Sequence, residues 1–314
     1  AVPEKLKNAK KRKEAIEKLI KEMKGKNIKQ MNLTDKDSRL IRSNGRYDFQ
    51  YNGQCATENQ VILNYNLTNQ EADIDQLIPM VEELETIARP LNEKEEYPLE
   101  GSKIITDAGY DSGKNLSHLK DRKTDGYVAN RMSSTYEKEK SGDIESRPFT
   151  KDKFSYEKEE DHYTCPAGEK LFPVKRRTNK KSTYVRNEVR YESQACHQCG
   201  HQPECARSKD GKRQICRILE YDPYREEIDK KLRTDEGKKI FRRRQSDIEP
   251  AFGQMKLITF GQSGFLLRGL EKTSGEFGLA CIVHNIRKII SYLKTRENDR
   301  FLPDIGRFAV KMAT

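Results

Sequence analysis

The sequence predicts an α/β fold interrupted by a cysteine-rich module. Three observations predict it. Between residues 47 and 130, short β-rich runs alternate with amphipathic stretches, the pattern of strands and helices packed in layers. Between 131 and 230 the texture turns polar and basic, and five of the seven cysteines fall between 165 and 216. From 231 onward good helix formers return. A chain of 314 residues is long enough for two domains, or for one large domain carrying an insert.

Taken in order, residues 4–25 read as a basic helix ended by Lys24-Gly25-Lys26, and 31–46 as a polar, turn-rich linker. YDFQYNGQCATE and QVILNYNLT read as adjacent antiparallel strands joined near Glu58-Asn59. Residues 70–90 form an amphipathic helix with Leu77, Val81, Leu84 and Ile87 on one face. SKIITDAGY at 102–110 reads as a buried strand delivering an acid at its end; Ser112 caps a following helix, and 125–129 is another buried strand. Two helices, 238–256 and 272–295, flank the glycine-rich FGQSGFLLRG. The expected segments are a basic helix and linker (1–46), the first part of an α/β domain (47–130), the cysteine-rich insert (131–230) and a helical part completing the domain (231–314).

Lys and Arg number 61 against 50 Asp and Glu, a formal net charge of +11. Such a balance favours a polyanionic partner, nucleic acid first, over a merely soluble basic protein. No run reaches the roughly 18–20 apolar residues of a membrane helix, and the basic N-terminus lacks the apolar stretch of a secretory signal. An odd, unevenly placed set of cysteines speaks against an extracellular disulfide framework. Because Ala1 rather than Met comes first, the chain is expected to be processed or to be the C-terminal part of something longer.

Three acids stand out. Asp107 follows the Ile104-Ile105 run and precedes Ala-Gly-Tyr, where glycine allows close approach. Glu249 precedes Pro250; proline is tolerated near the first turn of a helix, which puts Glu249 at a helix start and Lys256, seven residues on, on its face. Glu58 ends the first strand. Carboxylates from strand ends and a helix hold Mg²⁺ well, and two such ions about 3.5–4 Å apart serve phosphoryl transfer. Many other triples among 50 acids share such spacing, so spacing alone does not select these.

Several motifs in sequence carry more. NLTDKDSRLIRS, TDAGYDSGKNL, YTCPAGEKL, CHQC, FRRRQSDIEPAFGQMK and RGLEK…E…L…HN occur in that order over about residues 32–293. Together they resemble the DDE transposases of bacterial insertion sequences, in the IS1182-type branch of the IS4/IS5 group. The resemblance implies an RNase H-like mixed sheet flanked by helices. It implies three acids holding two Mg²⁺ or Mn²⁺ ions for DNA strand cleavage and transfer at transposon ends. It also implies DNA partners, self-association and a bacterial cytoplasmic location at the nucleoid. The second and third acids become Asp107 and Glu249. The family's Tyr, Arg, Glu and Lys on the third-acid helix read here Phe241, Arg244, Glu249 and Lys256.

The first-acid strand, Tyr-Asn-x-Gln-x-x-x-Asp in the family, reads Tyr51-Asn52-Gly53-Gln54-Cys55-Ala56-Thr57-Glu58. Glu for Asp moves the carboxylate by about 1 Å, a displacement that costs on the order of 10²-fold in a catalytic constellation. Family members also carry an N-terminal helical DNA-binding region, so a fragment of a decayed element or a split frame is expected. Two alternatives stand beside the active transposase: a degenerate remnant that binds DNA without cutting, and a zinc-ribbon-like nucleic-acid-binding protein.

Cys165, Cys196, Cys199 and Cys205 give C-x30-C-x2-C-x5-C, which suits tetrahedral Zn²⁺; disulfides or free thiols are the competing readings, and His201 or Cys216 a substitute ligand. Cys55 and Cys281 lie in apolar runs and His284 in a helix, as packed residues. Lys238, Lys239, Arg242, Arg243 and Arg244, together with Lys256 and more weakly Arg268, are the expected phosphate contacts; a solvated helix face is the plain alternative.

Overall fold

The computed structural model describes residues 9–25, 27–43, 45–91, 96–130, 138–142, 145, 148–179, 186–206, 208, 210–261, 264–296 and 309–313. It is a mixed α/β structure that divides into two compact units, residues 1–76, 246–303 and 312–314 in one and 77–245 with 304–311 in the other.

The first unit begins with α1 (Ala9–Gly25). What reads as a linker is a hairpin: β1 (Arg39–Ser43) pairs antiparallel with β2 (Arg46–Gln50). Its strands are polar because this two-stranded pair is largely exposed, so no apolar alternation announces it. After Tyr51 the chain turns into β3 (Asn52–Glu58), which pairs antiparallel with β4 (Val61–Thr68). Asn59 and Gln60 between them both take positive φ, 49° and 66°, as a tight two-residue hairpin turn requires.

The end of α5 (Asp235–Gln254) and a π-helical turn, Met255–Thr259, follow, and α6 (Leu270–Arg296) closes this unit's helices. The core joins β3 and β4 to these helices through Cys55, Ile62, Leu67, Ile248, Met255, Phe277 and Cys281. The two cysteines are thus buried core residues with free thiols, as the sequence suggests. Gly278 lets the Tyr65 ring lie against α6, since a Cβ there would meet its hydroxyl at 2.2 Å.

The second unit starts with α2 (Leu77–Ala88), whose buried face carries Leu77, Met80, Val81 and Leu84. Ile87, expected on that face, is 42% exposed; Ala88 takes the inward position instead. The expected βαβ unit is present: β5 (Lys103–Thr106), α3 (Gly113–Asp121) and β6 (Asp125–Val128), with β5 and β6 parallel. Ser112 caps α3 by accepting from Asn115 N at 3.1 Å. Ile104 and Ile105 are fully buried. Gly126 clears room for Tyr224, Leu119 and Ile228 over β6, and Tyr224 is fixed there by accepting from Gly126 N and donating to Thr124 O.

The insert is a five-stranded antiparallel sheet in chain order: β7 (Ser155–Glu157), β8 (His162–Thr164), β9 (Lys170–Asn179), β10 (Arg186–Glu192) and β11 (Ile215–Ile218). Read as poor in apolar residues, it nevertheless owns a core of Phe154, Tyr163, Leu171, Val189, Tyr191 and Ile215. Tyrosine carries much of that burial; Tyr163 and Tyr191 stack edge-on at 5.0 Å, and their hydroxyls are bonded to Arg217 and Asp161. Helix α4 (Asp222–Arg233) then leads into α5, and β12 (Ala309–Ala313) is the last element.

Candidate functional site

Asp107 ends β5 and begins the turn Ala108–Tyr110. Its Oδ1 accepts from Gly109 N at 2.8 Å, and Oδ2 faces Arg244 Nη1 of α5 at 3.8 Å. Its side chain stays 30% exposed. The strand end therefore presents a carboxylate that is oriented, partly solvated and neighboured by a guanidinium. Arg244 lies 5.7 Å from the Phe241 ring, a cation–π contact.

Around the same strand ends the structure gathers acids that the sequence reading missed. Asp111 accepts from Arg225 Nη2 at 2.6 Å. Asn130, just past β6, donates to Asp229 of α4 at 2.6 Å. Burial pushes the Asp229 carboxyl up to about 6, against the opposing pull of Asn130, Arg233 and Arg225. Asp111 sits in the quoted TDAGYD, so its signal was present. Asp229 had none, being one acid in a charge-rich helix.

Glu58 is half-buried at the end of β3, beside a turn held by α6. His284 Nε2 bonds Gln60 O at 2.7 Å. Asn285 accepts from Ile62 N at 2.8 Å and donates to Ile62 O at 2.7 Å, and the Tyr292 hydroxyl donates to Asn59 O. The His-Asn of the last motif is therefore a clamp on the hairpin that carries Glu58. His284 is a packed helix residue, as expected, and its burial lowers its affinity for a proton.

The other motifs resolve into similar supports. Tyr51 donates to Asp35 at 2.7 Å, and Asn52 and Gln54 both donate to Asp73. Asp35 and Asp37 accept from Gly269 N and Leu270 N, fixing the start of α6.

Glu249 is exposed on α5. Its expected place at a helix start is corrected: α5 begins at Asp235 and Pro250 lies inside it. Pro250 thus lacks a helix N–H without ending the helix. The seven-residue spacing to Lys256 also fails as a measure of a shared face, because the helix widens to π geometry from Met255.

Lys256 is exposed and, with Arg42 and Arg268, lines a cleft of about 660 Å³ in the first unit. Arg268 spends its guanidinium on the carbonyls of Phe265 and Leu267. None of Glu58, Asp107 and Glu249 lines this cleft. On α5, Lys239, Arg242 and Arg243 are exposed while Arg244 is half-buried.

Cys165, Cys196, Cys199 and Cys205 line one small cavity in the insert. Cys216 and His201 do not line it: the Cys216 thiol is bonded to Glu188, and the His201 ring lies 5.2 Å from Phe149. Among the described residues no three or more of His, Cys, Asp and Glu are already drawn to metal-coordinating positions. No helix among them is long and apolar enough to cross a membrane.

No curated protein and no solved structure matches the chain. Residues 164–290 match the family model described as Transposase DDE domain, a stretch that includes Glu249, three of the insert's strands and most of α6 but neither Asp107 nor Glu58; the match supports a DDE transposase.

Proposed function

We propose that the chain is the catalytic core of a DDE transposase in the IS1182-type branch, with an RNase H-like domain that hydrolyses a DNA phosphodiester and passes the freed 3′-OH to target DNA. The observation that carries this reading is Asp107 at the end of a buried parallel strand, facing Arg244 of the helix that bears Glu249. Ligands of parallel sheets gather at such strand ends.

Carboxylate oxygens are the donors that a hard divalent cation takes. Asp107, Glu249 and Glu58 are the carboxylates that would hold Mg²⁺ or Mn²⁺, which when bound supplies polarisation of phosphate oxygen and a more acidic water. The chain's own residues do the rest. Gly109 N fixes the Asp107 carboxylate through Oδ1 and leaves Oδ2 to face Arg244. Arg244 balances its charge before DNA arrives. Lys239, Arg242 and Arg243 offer exposed cations to backbone phosphates, and Lys256 does so from the cleft.

Self-association belongs to this reading. Leu279, Ile282, Ile286, Ile289 and Leu293 recur on α6 at alternating spacings of three and four, and all are about half exposed or more. That is the seam of a coiled coil, with Val283 and Ile290 beside it. These seven side chains offer on the order of 600 Å², close to the ~800 Å² per partner of a stable interface. The occupant we infer is α6 of a second copy.

One observation favours a second reading, a remnant that binds DNA without cutting: the acid at the first position is Glu58. Nicking of duplex DNA with Mg²⁺ or Mn²⁺ separates the two. An active core cuts, and Asp107→Ala abolishes the cutting by 10²-fold or more. Silence in the natural chain with recovery in Glu58→Asp identifies the remnant. Cutting that survives Asp107→Ala overturns the assignment of Asp107 as a metal-holding acid.

A further inference from the structure

We propose that Cys165, Cys196, Cys199 and Cys205 bind one structural Zn²⁺ as four thiolates, and that this ion ties the loops of the insert to its sheet. The inference is independent of the catalytic reading, since it involves neither the acids nor DNA.

Three separate segments bring these sulfurs to one place. Cys165 opens the turn between β8 and β9, a loop closed by Cys165 N to Glu169 O and Gly168 N to Cys165 O, both 2.9 Å. Gly168 takes φ +86°, which this turn needs and a side chain would strain. Cys196 lies within the 3-10 turn Gln194–Gln198 and Cys199 directly follows it. Cys205 ends the short helix Gln202–Cys205. Sequence separation gives these residues no reason to converge, yet all four line a single cavity of about 20 Å³. A space of that size takes about one water-sized occupant.

The surroundings suit thiolate charge. Glu169 N–H already donates to Cys165 Sγ at 3.3 Å, the kind of backbone support that sulfur ligands receive. Arg213 lines the cavity and its Nη1 donates to Cys205 O, while its buried Nε–H has no hydrogen-bond partner. A net-negative tetrathiolate centre gives that donor a charge to face. Burial pushes the Cys205 thiol up against the pull of Arg213, and Cys196, Cys165 and Cys199 are near enough to act on it as neighbours. Binding of Zn²⁺ would release a proton from each thiol as each Zn–S bond forms.

The cavity is walled by Phe149, Phe154 and Leu171, so the ion sits against the insert's apolar cluster. All four thiols are free, which leaves them available as ligands. The alternative donors Cys216 and His201 do not line the cavity, and the Cys216 thiol is bonded to Glu188.

The test uses the full chain purified under reducing conditions without added chelator. Elemental analysis is expected to find one zinc per chain, with none beyond background in Cys165→Ser or Cys199→Ser and the full amount in Cys216→Ser. Replacement by Co²⁺ is expected to give intense visible bands of a tetrahedral site together with sulfur-to-metal charge transfer in the near ultraviolet. Co²⁺ titrated into the natural chain keeps the test decisive if a serine variant fails to fold. A metal-free chain that binds no Co²⁺ overturns the proposal. So does a thiol count lowered by disulfides under the same conditions, or zinc retained in Cys165→Ser. Co²⁺ bands of a mixed sulfur–nitrogen site would overturn the four-thiolate set in favour of His201.

Discussion

Burial raises the Asp229 carboxyl to about 6, and the sign of its effect on stability follows. Below about pH 4 the group is protonated in the folded and the unfolded chain alike, so it costs nothing. Between about 4 and 6 the unfolded chain ionises first, and folding stability falls with rising pH. Above about 6 the loss is complete, on the order of 2–3 kcal/mol for a shift near two units. Asp229→Asn removes the charge and keeps an oxygen for Asn130. The variant is expected to melt a few degrees above the natural chain at pH 7.5 and level with it at pH 4. A lower melting point at pH 7.5 would mean that the ionised carboxylate is needed by Arg225 or Arg233. At the same scale, the motifs divide in two. Asp35, Asn52, Gln54, His284 and Asn285 read as family signature, and each spends its side chain on a structural bond. Asp107 instead stays partly exposed with one oxygen beside the Arg244 cation.

Elements were legible where one physical signal dominated. Ile104-Ile105 before Asp-Ala-Gly gave β5 and its acid because a buried parallel strand is an uninterrupted apolar run. Ser112 gave the start of α3 because a cap is a local bond. The β1–β2 hairpin was hidden, since it pairs only with itself and buries little. The insert's core was hidden because tyrosines, which count as polar at the tip, supply its bulk. Pro250 misled because a rule about where proline is comfortable was read as a rule about where helices begin. The length of α6 was legible, but its exposed seam emerges only when burial shows that Ala280, Cys281 and His284 take the inward face. That seam makes a prediction. Sedimentation at tens of micromolar is expected to find a dimer of the natural chain, and Ile286→Lys, which puts a charge at its middle, is expected to give monomer with an unchanged circular dichroism spectrum. A monomeric natural chain would overturn the inferred partner.

At the scale of the molecule, charge decides how any DNA contact behaves. A net charge of +11 makes the binding term electrostatic, and each phosphate neutralised releases counterion. The logarithm of the affinity for a duplex is therefore expected to fall linearly with the logarithm of salt concentration, with a slope of about −0.9 per phosphate contact. If α5 lies on DNA, replacing Lys239, Arg242 and Arg243 by Ala is expected to flatten that slope by as much as about three such contacts. The loss should be equal for transposon-like ends and unrelated duplexes, because cations on phosphates position the strand and read no sequence. An unchanged slope would move the DNA away from α5, towards the cleft of Lys256 or the exposed basic strand β9 with Lys175 and Arg177. A loss confined to one sequence would mean that these side chains reach base edges. The experiment also weighs the competing zinc-ribbon reading: if the insert alone carried recognition, stripping zinc would remove binding while the α5 variant left the salt slope intact. The proposed transposase core predicts the reverse if the helix that bears Glu249 grips the backbone.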